Sequence, residues 1–229
     1  MKTISRRQFL YFSGVFSVFY PLFFAVASSR ENKLGKDHRF PITIAVLKAA
    51  YMSEMIAHQH YNRYSRKAVD ERYPNIAYLF STLAVSEKIH ADNYKRILTS
   101  LDSGFEKPEC EILISNTKAN LEKAAEKELI KIKETYPDFF AKLKKESYDE
   151  AVINCMYSWK SHQQHEEKIK EILKYCNMFF GSVARKIEGL KLDFHVCEIC
   201  GSTVDETPKA PCNICNYPVS YYQKIKRPT

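Results

Sequence analysis

Glycine is scarce in this chain: its 229 residues include six, where average usage of about 7% would supply about 16. The deficit argues against turn-rich all-β folds and glycine-rich phosphate loops, and two stretches, 36–103 and 105–180, contain no glycine at all. Long helices are the expected answer. Acidic residues are absent from the first 30 positions, which begin with Lys2, Arg6 and Arg7 and run through an apolar stretch from Phe9 to Ala27. A basic start, an apolar middle and Ala25-Val26-Ala27 as an A-x-A end form the pattern of a cleaved secretory signal. Within it, Ser5-Arg6-Arg7-Gln8-Phe9-Leu10 is similar to the twin-arginine motif that directs folded proteins to an export machinery. An uncleaved membrane anchor is the other reading, because the apolar run is just long enough to span a bilayer. Both readings place the protein outside the cytoplasm, in the periplasm or on the outer face of the membrane. Basic clusters are lacking as well. Removing residues 1–27 takes three of the 35 basic side chains and none of the 27 acidic ones, so the net charge falls from +8 to +5. That balance is too mild and dispersed for a nucleic-acid partner.

What is present is helical periodicity. Leu47, Ala50, Tyr51, Glu54, His58, Tyr61, Ser65 and Ala68 follow steps of three and four, which mark one face of a helix. Pro74 ends it. Ile76, Leu79, Phe80, Leu83, Glu87, His90, Tyr94 and Ile97 form a second stripe, and a connector follows around Ser103-Gly104 and Pro108. A third stripe reads Leu121, Ala125, Glu128, Ile132, Thr135 and Phe139, with a kink expected at Pro137. A fourth reads Val152, Cys155, Trp159, His162, His165, Ile169, Ile172 and Cys176. Four such helices on short links predict an antiparallel four-helix bundle. The halves also echo each other. Leu47 and Ala49-Ala50 precede Glu54 as Leu121 and Ala124-Ala125 precede Glu128, and Glu87-x-x-His90 matches His162-x-x-His165. Two copies of one helical hairpin would bring matching positions together at the bundle centre.

Glu54, Glu87, His90, Glu128, His162 and His165 stand where the stripes call for leucine or isoleucine. An isolated buried carboxylate is costly unless paired or bound to metal, so the set predicts a metal site. In the C-terminal segment, Cys197-x-x-Cys200-Gly201 and Cys212-x-x-Cys215 predict two knuckles closing a tetrahedral site of four thiolates, suited to iron or zinc. Gly201 and Asn216 sit where such a knuckle needs a positive φ. Cys110, Cys155 and Cys176 have no metal spacing, and Cys155 and Cys176 are expected as packed core thiols.

These residues carry a family resemblance. Glu54 with Tyr61 seven residues on, Glu87-x-x-His90, and Glu128 followed by Tyr136-Pro137 make residues 42–176 resemble the ferritin-like domain of rubrerythrins, and the cysteine segment resembles the rubredoxin-like domain that follows it. The resemblance implies Glu54 and Glu128 as terminal ligands, Glu87 as a bridge, His90 and His165 as imidazole ligands, and Tyr61 and Tyr136 as tyrosines bonded to ligand carboxylates. It also implies Fe(Cys)₄ as the electron entry point, hydrogen peroxide as the substrate, an external electron donor, and a head-to-tail homodimer in which one subunit's rubredoxin-like centre lies near the other's bundle. The expected organisation is a signal at 1–27, a linker at 28–41, a ferritin-like four-helix bundle at 42–178, a linker at 179–193 and a rubredoxin-like domain at 194–229.

Two departures stand out. His162 occupies the family's second bridging glutamate position, and Lys131 replaces the glutamate three residues after the helix-3 ligand. Together they make the local field more positive, which predicts altered potential, unequal occupancy or a single tight iron. A lysine stem can also carry its ammonium outward, which would soften the effect. His58, four residues after Glu54, is open between a substitute ligand and a half-exposed neighbour, and His60 reads as surface. The alternative to a peroxidase is a non-catalytic metal-binding or electron-transfer protein with a degenerate bundle site.

Overall fold

A computed structural model describes residues 39–109, 111–174 and 188–229. The expected export signal, most of both expected linkers, Cys110 and Cys176 lie outside the described residues. Among the described residues, no helix is long and apolar enough to cross a membrane.

Helices α1 (Pro41–Asp70) and α2 (Pro74–Ser100) form the first hairpin. Each begins with proline in its first turn, where the missing N–H costs nothing. The third helical run is α3 (Thr117–Ile130), a π-helical turn (Lys131–Thr135) and α4 (Tyr136–Leu143), and α5 (Asp149–Lys174) completes the bundle. Helix α3 starts on Asn116, whose side chain accepts from the Ala119 amide. Glutamates from elsewhere in the chain cap three helix starts. Glu146 accepts from the amides of Ile42 and Thr43, Glu188 from Asn75 and Ile76, and Glu71 from Thr117, each placing negative charge at the positive end of a helix dipole.

The π turn corrects the third stripe. Ile132 and Thr135 are not buried as expected; Lys131, Tyr136 and Phe139 are. Tyr136 donates its amide to the Lys131 carbonyl five residues back, so one wide turn brings positions 131 and 136 to the same inner face. In an α-helix a five-residue step would leave them about 140° apart. Pro137, which cannot donate to the carbonyl four residues back, follows directly in the first turn of α4.

The C-terminal lobe is a three-stranded antiparallel sheet of β1 (His195–Cys197), β2 (Thr203–Val204) and β3 (Tyr222–Lys224), in the order β2-β1-β3. His195 pairs with Val204 on one side and Lys224 on the other. The lobe packs on the bundle of its own chain. Phe194, Val196 and Ile225 share an apolar cluster with Tyr78, Leu79, Phe80 and Leu83, while the Tyr78 hydroxyl donates to the Ile225 carbonyl and accepts from the Phe194 amide. A second cluster around Leu47, Tyr94, Ile97, Leu143 and Cys155 fills the opposite end of the bundle. Burying each such large side chain contributes about 1.5–3 kcal/mol. Cys155 is the core thiol the periodicity predicts, and burial pushes it up to about 12.

Candidate metal centres

Between the two apolar clusters lies a polar layer. All six predicted bundle residues are buried and close to one another: Glu54 from α1, Glu87 and His90 from α2, Glu128 from α3, His162 and His165 from α5. They form two overlapping sets able to hold a metal, Glu54/Glu87/His90/His162 and Glu87/Glu128/His162/His165. In the second set His162 Nδ1 lies 2.7 Å from Glu128 Oε2 and 3.7 Å from Glu87 Oε1, and His165 Nδ1 lies 3.5 Å from Glu87 Oε1 and 3.8 Å from Glu128 Oε2. Donors bound to a common ion at about 2.1 Å lie about 3.0–3.4 Å apart, so the set needs little rearrangement to close on one.

Lys131 does not reach outward. Its side chain is 9% exposed, with Nζ 2.5 Å from Glu54 Oε2 and 3.5 Å from Glu87 Oε2. Burial opposes its charge, but Glu54, Glu87 and Glu128 outweigh burial and hold the ammonium well above the usual lysine range. Tyr136 donates to Glu54 Oε1 at 2.7 Å, and His162 Nε2 lies 3.3 Å from the same oxygen. Tyr61 donates a short bond to Glu128 Oε1. Each tyrosine thus bonds a carboxylate of the polar layer. Tyr94 adds a link the sequence did not single out, bonding Tyr136 at 3.0 Å and Ser158 at 2.7 Å.

Burial works against charge throughout the layer, yet the opposite charges prevail. Glu54 is held well below the carboxylate range by Lys131 and His162, and Glu128 by His162 and His165. Burial and Lys131 disfavour His162 protonation, but Glu87, Glu54 and Glu128 together push it up to about 10. His90 is the reverse case, lowered by burial. His58 stays outside the site: its Nδ1 bonds the Ala84 carbonyl at 2.7 Å, so it is no substitute ligand. His60, expected on the surface, is half-buried beside a cavity of about 400 Å³ whose lining includes Tyr61, Tyr64, Lys127 and Lys131.

The four cysteines converge as their spacing predicts. Cys197 and Cys215 sulfurs lie 3.7 Å apart, Cys200 and Cys212 sulfurs 3.4 Å, all four within 4.8 Å. Bonds of about 2.3 Å to a tetrahedral centre put thiolates about 3.8 Å apart, whereas a disulfide needs about 2.05 Å. Gly201 and Asn216 adopt φ of 77° and 61° and donate their amides to the Cys197 and Cys212 carbonyls. The first knuckle sits directly on the bundle. His90 Nε2 donates to the Cys200 carbonyl at 3.1 Å, and the Gly201 carbonyl accepts from Ser86 at 2.6 Å and Ser161 at 3.0 Å. A Cβ on Gly201 would lie 2.3 Å from His90 Nε2, so only glycine permits this approach. Ser86 and Ser161 escaped notice in the sequence, although their matched places one residue before Glu87 and His162 are a further trace of the repeat.

A sequence model of the rubrerythrin family matches residues 45–173. The chain belongs to the rubrerythrin family. A putative rubrerythrin of Methanocaldococcus jannaschii is 28% identical over 191 residues, covering 79% of this chain and 91% of the relative. Nigerythrin of Nitratidesulfovibrio vulgaris is 27% identical over 178 residues, covering 77% and 83%. A solved structure of nigerythrin in its mixed-valence state superposes with a TM-score of 0.68 at 26% identity, covering 87% of this chain and 91% of its own. The rubrerythrin family consists of non-haem di-iron oxidoreductases, and the bundle and thiolate donors found here suit iron. Within the ferritin-like fold the donor set fits a cation on local grounds too: Glu87 Oε1 and His165 Nδ1 are buried polar atoms without a hydrogen-bond partner, the condition a bound ion relieves. The contact between the knuckle and the bundle described here lies within one chain.

Proposed function

We propose that this rubrerythrin-family protein reduces hydrogen peroxide to water at the bundle site, with electrons entering through an Fe(Cys)₄ centre. The observation that carries this reading is the hydrogen bond from His90 to the carbonyl of Cys200, which links a candidate thiolate ligand to the imidazole beside Glu87. Iron held by the bundle carboxylates and imidazoles would supply the redox electrons and the position at which peroxide binds. The protein's own groups supply the rest. Tyr61 and Tyr136, held well above the ordinary tyrosine range by burial and by the carboxylates they touch, stay protonated and orient Glu128 and Glu54. The cavity lined by Tyr61 and Lys131 offers a small oxidant access to this layer. An external reductant of unspecified identity would reload the thiolate centre, and the family resemblance supports a homodimer.

The test uses the full mature chain. Anaerobic reduction followed by peroxide should restore the ferric-thiolate absorption rapidly and stoichiometrically. A slow return, or a colourless zinc-filled lobe, would favour the second reading of a non-catalytic metal-binding or electron-transfer protein, which the Lys131–Glu54 ion pair supports. Export through the twin-arginine route is proposed from the sequence motif alone; replacing Arg6 and Arg7 with lysine should retain the precursor in the cytoplasm.

A further inference from the structure

The two overlapping donor sets differ in how much of them is free. In the Glu54/Glu87/His90/His162 set, Glu54 is fully engaged. Lys131 takes Oε2, while Tyr136 and His162 Nε2 take Oε1. Glu87 Oε2 is shared between His90 at 3.1 Å and Lys131 at 3.5 Å. A metal entering here would have to displace an ammonium already seated between two carboxylates. In the Glu87/Glu128/His162/His165 set the situation is opposite. Glu87 Oε1 and His165 Nδ1, both fully buried, have no hydrogen-bond partner. His162 Nδ1 and Glu128 Oε2, at 2.7 Å, are kept together by either a proton or a cation.

The outer contacts agree. Metal-bound histidines generally give their far ring nitrogen to a fixed acceptor, which sets the tautomer and aims the lone pair at the ion. His162 directs Nε2 at Glu54, and His165 directs Nε2 at the Ser161 hydroxyl at 3.3 Å; His90 likewise directs Nε2 at the Cys200 carbonyl, so what separates the two sets is the Lys131 ammonium seated against Glu54 and Glu87. Glu128 Oε1 is held by Tyr61, leaving Oε2 for the ion.

Building on the bundle as a metal site, we propose that it holds a single metal ion, bound by Glu87 Oε1, Glu128 Oε2, His162 Nδ1 and His165 Nδ1, and that the Lys131 ammonium is the resident cation of the other half-site. Glu54 is then a positioning residue, and His90 donates Nε2 to the Cys200 carbonyl with Nδ1 beside Glu87. Two imidazoles and two carboxylates suit a ferrous ion. The second positive centre of the family's dinuclear site is here built into the chain.

Metal counting tests this occupancy apart from peroxide turnover. Iron-grown full-length protein should carry about two metal ions per chain, one in the thiolate site and one in the bundle, the latter giving the magnetic signal of an isolated ferrous ion rather than a coupled pair. H165A should fall to about one ion per chain, whereas H90A, checked for retained helicity by circular dichroism, should keep about two. K131E, which replaces the ammonium with a carboxylate, should admit a further ion and approach about three, with magnetic coupling in the bundle. Two coupled ions in the wild-type bundle, or loss of the bundle ion in folded H90A, would overturn the assignment. Failure of peroxide turnover with these counts intact would sink the peroxidase reading and leave the occupancy standing.

Discussion

His90 and Cys200 are joined by a hydrogen bond of 3.1 Å from the imidazole Nε2 to the main-chain carbonyl, so a single side chain of α2 bonds the cysteine knuckle directly. Gly201 permits this approach. In G201A the new methyl would stand 2.3 Å from His90 Nε2 and 2.8 Å from Ser86 Oγ, on a backbone already at φ 77°. The expected cost is about 1–3 kcal/mol of stability. Displacing the knuckle by about 1 Å should slow reoxidation of the thiolate iron by peroxide at least about tenfold, with the thiolate iron content unchanged. Thermal melts and stopped-flow absorption measure the two effects.

Lys131 and Glu54 form a buried ion pair. Removing one partner of such a pair leaves an uncompensated charge, so metal-free K131M should lose about 3–5 kcal/mol of unfolding free energy in urea. An unchanged midpoint would show that the ammonium is replaceable by water.

Stability of the metal-free protein should depend on pH on both sides of a maximum. Glu54 and Glu128 are held below their ordinary 4.5, because Lys131 and the histidines outweigh the burial that would raise them. Their contribution is present above pH 4.5 and is lost as pH falls below it. His162 is raised from 6.5 to about 10, the carboxylates outweighing burial and Lys131. Its contribution is complete below pH 6.5 and is lost as pH rises through about 10. His90, lowered by burial, works the other way and disfavours the folded state as pH falls below 6.5, so melting temperatures of metal-free protein should fall steeply below about pH 4.5 and decline again toward pH 10, with the maximum between. A steady rise in melting temperature to pH 9 would contradict the His162 environment described above.

Tyr61 holds Glu128 through its hydroxyl. Y61F should weaken bundle metal affinity by about 10–100-fold, as loss of an outer partner generally does. Competition with a chelator reads this directly, with the thiolate metal as an internal reference.

Much of this architecture is legible in the sequence because helical periodicity and metal-ligand spacing are local properties. The interruption of apolar stripes by Glu54, Glu87, His90, Glu128, His162 and His165 identifies the polar layer, since burying such groups without a partner is too costly to be incidental. The two C-x-x-C knuckles with Gly201 and Asn216 are equally local, their positive φ values demanded by the turn itself. The third helix is where local reading misleads: Ile132 and Thr135 follow the α-helical step, but the π turn ahead of Pro137 shifts the phase and brings Lys131 and Tyr136 inward.

The sequence by itself determined that this is a helical bundle with a polar, metal-suited layer and a four-cysteine appendix, because side-chain period and ligand spacing depend only on neighbours in the chain. Tertiary structure alone decided where the Lys131 ammonium lies, which donors of the layer remain unpartnered, and that the knuckle of Cys200 rests on His90. Those outcomes depend on the phase of one helical turn and on contacts between residues as much as 115 positions apart, distances over which a one-dimensional pattern carries no geometric information.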